Sequence, residues 1–152
     1  MNDNGSMTSS IYRKFLKKLS ADPEFSIEKY MESAEQNQAD AQFCIGICYA
    51  NGCGVEISHE KAVEWYIKAA AQNHADAQFC IGICYANGYG VELSHEKAVE
   101  WYMKAAAQHH ADALFCLGIC HTNGLGTDID TQLANEYLRM AAQYGIENDT
   151  NA

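Results

Sequence analysis

Ala41, Ile45, Cys48, Tyr49 and Gly52 fall at i, i+4, i+7, i+8 and i+11, the spacing of one α-helical face. A second apolar stripe, Ala62, Tyr66, Ala69 and Ala70 with Trp65 alongside, follows after a short polar break. The break predicts its own boundaries. Asn51-Gly52-x-Gly54 closes the first helix, because glycine reaches the left-handed conformation that a helix end requires. Ser58 is a good N-cap for the second, and Glu60 puts a negative charge in its first turn. Gln72-Asn73-His74 then forms the turn into the next unit. Gly46 interrupts the first helix at a cost of about 1 kcal/mol relative to alanine. Its copies Gly82 and Gly118 repeat that cost, and close backbone approach of the paired helix is the simplest compensation.

The pair of helices recurs. Ala39-Asp40-Ala41 returns as Ala75-Asp76-Ala77 and Ala111-Asp112-Ala113, a period of 36 residues (75 − 39 and 111 − 75). Segments 39–74 and 75–110 differ only at Cys53/Tyr89, Ile57/Leu93, Ile67/Met103 and Asn73/His109, so 36 − 4 = 32 positions are identical. Segment 111–146 is more polar, with His121, Thr127, Asp130 and Asn135 replacing Tyr, Val, Ser and Val. The expected organisation is an all-α, right-handed α-solenoid of helix-turn-helix repeats. Residues 1–9 form a flexible start and 10–38 an N-terminal capping helix pair, in which Ile11–Ser20 is the first helix and Tyr30 occupies the place of Tyr66. Repeats 1, 2 and 3 span 39–74, 75–110 and 111–146, the last with capping character because a stack needs polar ends. A frayed tail covers 147–152.

Ala39-x-Ala41-Gln42-Phe43-x-Ile45-Gly46-x-Cys48-Tyr49-x-x-Gly52-x-Gly54-Val55, followed by Lys61-Ala62-x-x-Trp65-Tyr66-x-Lys68-Ala69-Ala70, resembles the Sel-one-like repeat, a 36-residue relative of the tetratricopeptide repeat. The resemblance covers 39–146. Cys48, Cys84 and Cys120 stand where the family usually has leucine, and Tyr137-Leu138-Arg139-Met140 replaces Trp-Tyr-x-Lys in the last unit. It implies a protein-binding adaptor or scaffold. In tetratricopeptide-type stacks the first helices line a concave groove that receives partner segments. The offset face that would line it here holds Asp40, Cys44, Ile47 and Asn51, then Asp76, Cys80, Ile83 and Asn87, then Asp112, Cys116, Ile119 and Asn123. The expected groove is thus an Ile/Cys strip between an Asp edge and an Asn edge, the asparagines serving a peptide backbone. The competing reading has Cys44 and Ile47 packing against the neighbouring repeat.

Charge narrows the partners. Twenty acidic and ten basic side chains give a net −10; residues 1–20 carry +3 and the remainder −13. An acidic body repels phosphate backbones, so nucleic acid is not an expected partner. It also suits an immunity or inhibitor protein that neutralises a toxin by capping a basic site. The first 20 residues lack an apolar stretch of signal-peptide length, and no run is long enough to span a bilayer. A reducing, cytoplasmic setting is the resulting expectation.

No catalytic or metal constellation stands out, and no cofactor is expected. The pairs Cys44/Cys48, Cys80/Cys84 and Cys116/Cys120 lie at i, i+4 on one helix, whereas a zinc site needs about four converging ligands. Some cysteine-rich relatives close a disulfide between the two helices of each repeat and bind β-lactams. The second helices here contain no cysteine, so neither the bridges nor the weak hydrolase activity carries over. The histidines and Glu64/Glu100 are copied with the repeat, as expected of a solvated surface rather than a unique acid/base pair.

Overall fold

The computed structural model describes residues 13, 15–17, 21 and 26–150, with side chains through 145. Every regular element among them is helical. We number the helices α1 (Ile27–Glu35), α2 (Ala39–Asn51), α3 (His59–Ala70), α4 (Ala75–Asn87), α5 (His95–Ala106), α6 (Ala111–Asn123) and α7 (Thr131–Thr150). Arg13, Phe15, Leu16 and Lys17 are also helical, within the expected Ile11–Ser20 helix, and Phe15 meets Phe43 edge-on at 6.0 Å. The expected flexible start, the rest of that helix and residues 151–152 lie outside the described residues.

Hairpins α2–α3, α4–α5 and α6–α7 pack internally, and each second helix then meets the first helix of the next unit, giving an α-solenoid. The local signals work as the residues suggest. Ser58 and Ser94 accept the N–H groups of Lys61 and Lys97 at 3.3 Å, capping α3 and α5. Gly52, Gly88 and Gly124 end the first helices in the left-handed conformation. Helix α7 differs: it runs past the end of its repeat to Thr150, so residues 147–150, expected to be frayed, have helical backbone. At the turn position where Asn37, Asn73 and His109 adopt φ of 63°, 63° and 60°, the third unit has Gly145, inside the helix.

The central glycines are explained by a ring rather than by bare backbone. A Cβ on Gly46 would stand 2.5 Å from Tyr66 ring carbons and 3.3 Å from the Ala62 carbonyl. Tyr102 fills the same space over Gly82, and Leu138 over Gly118. The expected backbone approach is therefore present, but the paired helix reaches the glycine first through a side chain, Tyr66, Tyr102 or Leu138.

Repeats are joined by a polar junction that periodicity does not reveal. Gln42 and Gln78 are buried in helices otherwise apolar at every position from Ala41 to Cys48 and Ala77 to Cys84. Gln78 Nε2 donates to Asn73 Oδ1 at 3.2 Å. Gln108 Nε2, from the following turn, donates to Asn73 Oδ1 at 3.1 Å and to Gln78 Oε1 at 2.8 Å. Asn37, Gln42 and Gln72 form the same triad one unit earlier. In the third unit all three positions change together: His109 stacks on Tyr144 at 4.4 Å, and Leu114 takes the buried glutamine's place. Gln42 and Gln78 are buried while their Asn and Gln partners are exposed and can turn to water, so breaking a set costs about the net worth of one or two hydrogen bonds, about 1–2 kcal/mol. Gln78→Leu alone is therefore expected to lower stability by about that amount, and the combined Asn73→His/Gln78→Leu/Gln108→Tyr exchange to recover most of it. Urea unfolding of the single and triple variants measures the difference.

Candidate functional site

The face read as a groove turns out to point mostly at the next repeat. Ile47 is 0% exposed and Ile83 3%, whereas Ile119, the same residue at the same helical position, is 37% exposed. Phe43, Phe79 and Phe115 follow suit at 5%, 0% and 41%. Cys44 and Cys80 are buried and Cys116 half-buried. Two things change down this series: the Tyr66/Tyr102 position becomes Leu138, and among the described residues no hairpin follows α7. Phe79, for example, is covered by Tyr102 at 5.9 Å and by His110 of the next unit at 4.9 Å. The two upper rungs of the Ile/Cys strip are thus interior, and the third is partly exposed.

The polar edges also have internal work. Asn51 and Asn87 Nδ2 donate to the carbonyls of Ile47 and Ile83 at 2.9 Å, and Asn123 Nδ2 to that of Ile119 at 3.2 Å. Asp40 meets His74 Nε2 at 3.0 Å, and Asp76 meets His110 Nε2 at 2.7 Å. In both histidines Nδ1 accepts a backbone N–H, from Ala77 or Ala113, at 3.2 Å. That acceptance places the neutral ring's proton on Nε2, where it is donated to the aspartate. His74 and His110 are therefore neither solvated surface nor catalytic bases. They cap α4 and α6 and tie each helix to the preceding repeat. Asp112 stands at the same register on α6, half-buried.

The seven cysteines are free thiols. Burial pushes Cys48 and Cys120 up to about 11, and Cys84 and Cys116 up to about 12. Burial first, then Cys84, Asp76 and Asp112, holds Cys80 well above the ordinary thiol range. Raised values keep these groups protonated at neutral pH, and the thiolate is the reactive form. Cys53, partly exposed in the first loop, is expected to account for the rapid reaction with Ellman's reagent at about pH 8, with all seven reacting in denaturant. Labelling of Cys116 should climb about tenfold per pH unit toward its value near 12. Among the described residues no three His, Cys, Asp or Glu side chains converge as metal ligands, and no helix is long and apolar enough to cross a membrane.

A shallow apolar cleft lies between α1 and the first loop, lined by Ile27, Met31 and Val55 and rimmed by Glu28, Glu32 and Glu35. Sequence reading passed over it, because it joins a capping helix to a loop 20 or more residues away.

Stacked helical hairpins of fixed period, tied by repeated junctions, define a solenoid repeat protein of the kind built around surfaces rather than pockets. The chain belongs to the Sel1-repeat family: the Sel1 repeat matches residues 39–74, 75–110 and 111–145. Among solved structures, it is similar to a protective antigen of uropathogenic Escherichia coli with an SLR fold. That match has 31% identity and a TM-score of 0.78, over 80% of this chain and 26% of the other. A Sel1 repeat protein from Oxalobacter formigenes matches at 35% identity and a TM-score of 0.77, over 90% and 55% of the two chains. The chain thus spans about a quarter and just over half of these two relatives. Helicobacter pylori cysteine rich protein B shares the fold at 22% identity and a TM-score of 0.62, over 78% of this chain and 85% of that one. None of the curated proteins compared is similar enough in sequence to match.

Proposed function

We propose that this protein is an interaction module that seats a helical segment of a partner protein on the exposed face of its third repeat. One contrast carries the reading: Phe79 and Ile83 are 0% and 3% exposed, while Phe115 and Ile119 are 41% and 37% exposed. Inside the chain the equivalent side chains are covered by a following helical hairpin, so a helix with small and apolar residues on one face is the chemistry that fits. The groove contracts to its third rung, Cys116 and Ile119 with Phe115 beside them, between Asp112 and Asn123. Burying such a patch yields roughly 25 cal/mol per Å² of apolar area, and an amphipathic helix laid on an apolar surface is a common way to use it. The free thiols suit a reducing compartment such as the cytoplasm.

Ile119→Asp tests this assignment without cutting into the core. Proteins captured from the native cell by the wild type should be lost with Ile119→Asp, while its thermal unfolding stays within a few degrees of the parent. Retention of the same partners by that variant contradicts the third-repeat assignment. The net charge of −10 favours a second reading, an inhibitor that caps a basic toxin; an association rate indifferent to salt would rule that out.

A further inference from the structure

The loops between the paired helices carry a recurring aliphatic side chain that is largely exposed. Ile57, Leu93 and Ile129 recur one repeat apart and are 58%, 54% and 67% exposed. An exposed acid precedes each: Glu56, Glu92 and Asp128. The third repeat keeps this acid–aliphatic pair although it matches the second at only 15 of 36 positions. Local packing uses one flank of the side chains. Ile57 Cγ1 and Ile129 Cγ1 lean over Gly52 and Gly124, where an added Cβ would be 2.8 and 3.0 Å away. The outer flanks stay in solvent, anchored rather than loose.

The loops form one edge of the stack. Gly54 sits against Ile27, Gly90 against the His59 backbone and Gly126 against that of His95, so each loop rests on the first turn of the preceding second helix. Packed helices lie roughly 8–10 Å apart, which sets the scale of the row's pitch. At its beginning the row meets the cleft of Ile27, Met31 and Val55 with its glutamate rim. The nearby lysines face elsewhere: Lys61 and Lys97 lie over the rings of Tyr49 and Tyr85 at 5.5 Å. Among the described residues no cation holds Glu56, Glu92 or Asp128.

We propose that this edge is a second docking surface, distinct from the third-repeat face, and that its occupant is a cationic partner segment carrying regularly spaced aliphatic side chains. Charge complementarity selects the occupant. Aliphatics are needed to cover the exposed row, and lysines or arginines to meet the acid beside each member. An anionic membrane or a nucleic acid has the wrong sign.

The probe is a fluorescent peptide of repeated Leu-Lys-Lys units, with a Ser-Lys-Lys peptide as control, titrated against the whole chain by anisotropy. Saturable binding of the leucine peptide is expected. It should weaken about tenfold or more both in Ile57→Ser/Leu93→Ser/Ile129→Ser and on raising salt from about 50 to about 500 mM. Glu56→Gln/Glu92→Gln/Asp128→Asn provides a second variant that leaves the apolar row intact, and it should also weaken binding. Helical circular dichroism checks that each variant is folded. Ile119→Asp, which disables the third-repeat face, should bind the peptide normally, so the two surfaces fail independently. Absence of binding, equal binding of the serine peptide, or undiminished binding by both triple variants overturns the proposal.

Discussion

Replacing Gly90 with alanine is expected to destabilise the protein by about 3–5 kcal/mol, whereas Gly54→Ala, at the same loop position one repeat earlier, should cost about 1–2 kcal/mol. Both glycines hold positive φ, +71° and +74°, so both substitutions carry the left-handed strain of an L-residue. They differ in what a methyl group would meet. At Gly54 it reaches Ile27 side-chain carbons at 3.5 Å, an ordinary contact. At Gly90 it would stand 2.5 Å from the carbonyl carbon and oxygen of His59, backbone already committed to the first turn of α3. No rotamer change relieves that clash, so the loop must lift off the preceding repeat. Thermal unfolding reads the contrast as a difference of about 4–12 °C between the variants. Equal losses would mean that the loop does not rest on α3.

The second large effect separates buried from exposed. Phe79→Ala removes a ring that is 0% exposed and packed on Tyr102 and His110, and should cost about 3–5 kcal/mol. Phe115→Ala removes the same residue from the same place in the next repeat, where it is 41% exposed, and should cost less than about 1 kcal/mol. Denaturant unfolding of the two variants measures the gap. Similar losses would require Phe115 to be covered by something within the chain.

Much of the fold was legible because its signals are local. Ser58, Ser94, Gly52 and Gly88 act through bonds and dihedral angles within a few residues, and a period of 36 places every copy at once. The stripe Ala62, Tyr66, Ala69 and Ala70 is buried as expected, since a second helix has one wet side. First helices are harder. Reading Ala41, Ile45 and Cys48 as the core face implied that Cys44 and Ile47, on another face, could be free. A 13-residue helix sandwiched among a preceding unit, its own partner and a following unit has no wet side along its middle, and every residue from Ala41 to Cys48 is buried. The clue was present: apart from Gln42, α2 has no polar residue between Asp40 and Asn51, and a helix apolar all round is an interior helix. The junction triads were not legible, because Gln42 finds Gln72 30 residues away. Nor was the tie from His74 to Asp40, an aspartate 34 residues earlier. Such pairs depend on the stacking geometry, which no window of the sequence contains.

Hydroxyl-radical footprinting of the intact chain, read residue by residue by mass spectrometry, tests most directly whether successive hairpins bury this face and the last one leaves it open. Phe115 should oxidise readily in dilute native protein, with Phe43 and Phe79 protected until the chain unfolds. Comparable oxidation of Phe79 and Phe115, or protection of Phe115 at concentrations too low for association, would contradict the exposed third-repeat face on which the interaction reading stands.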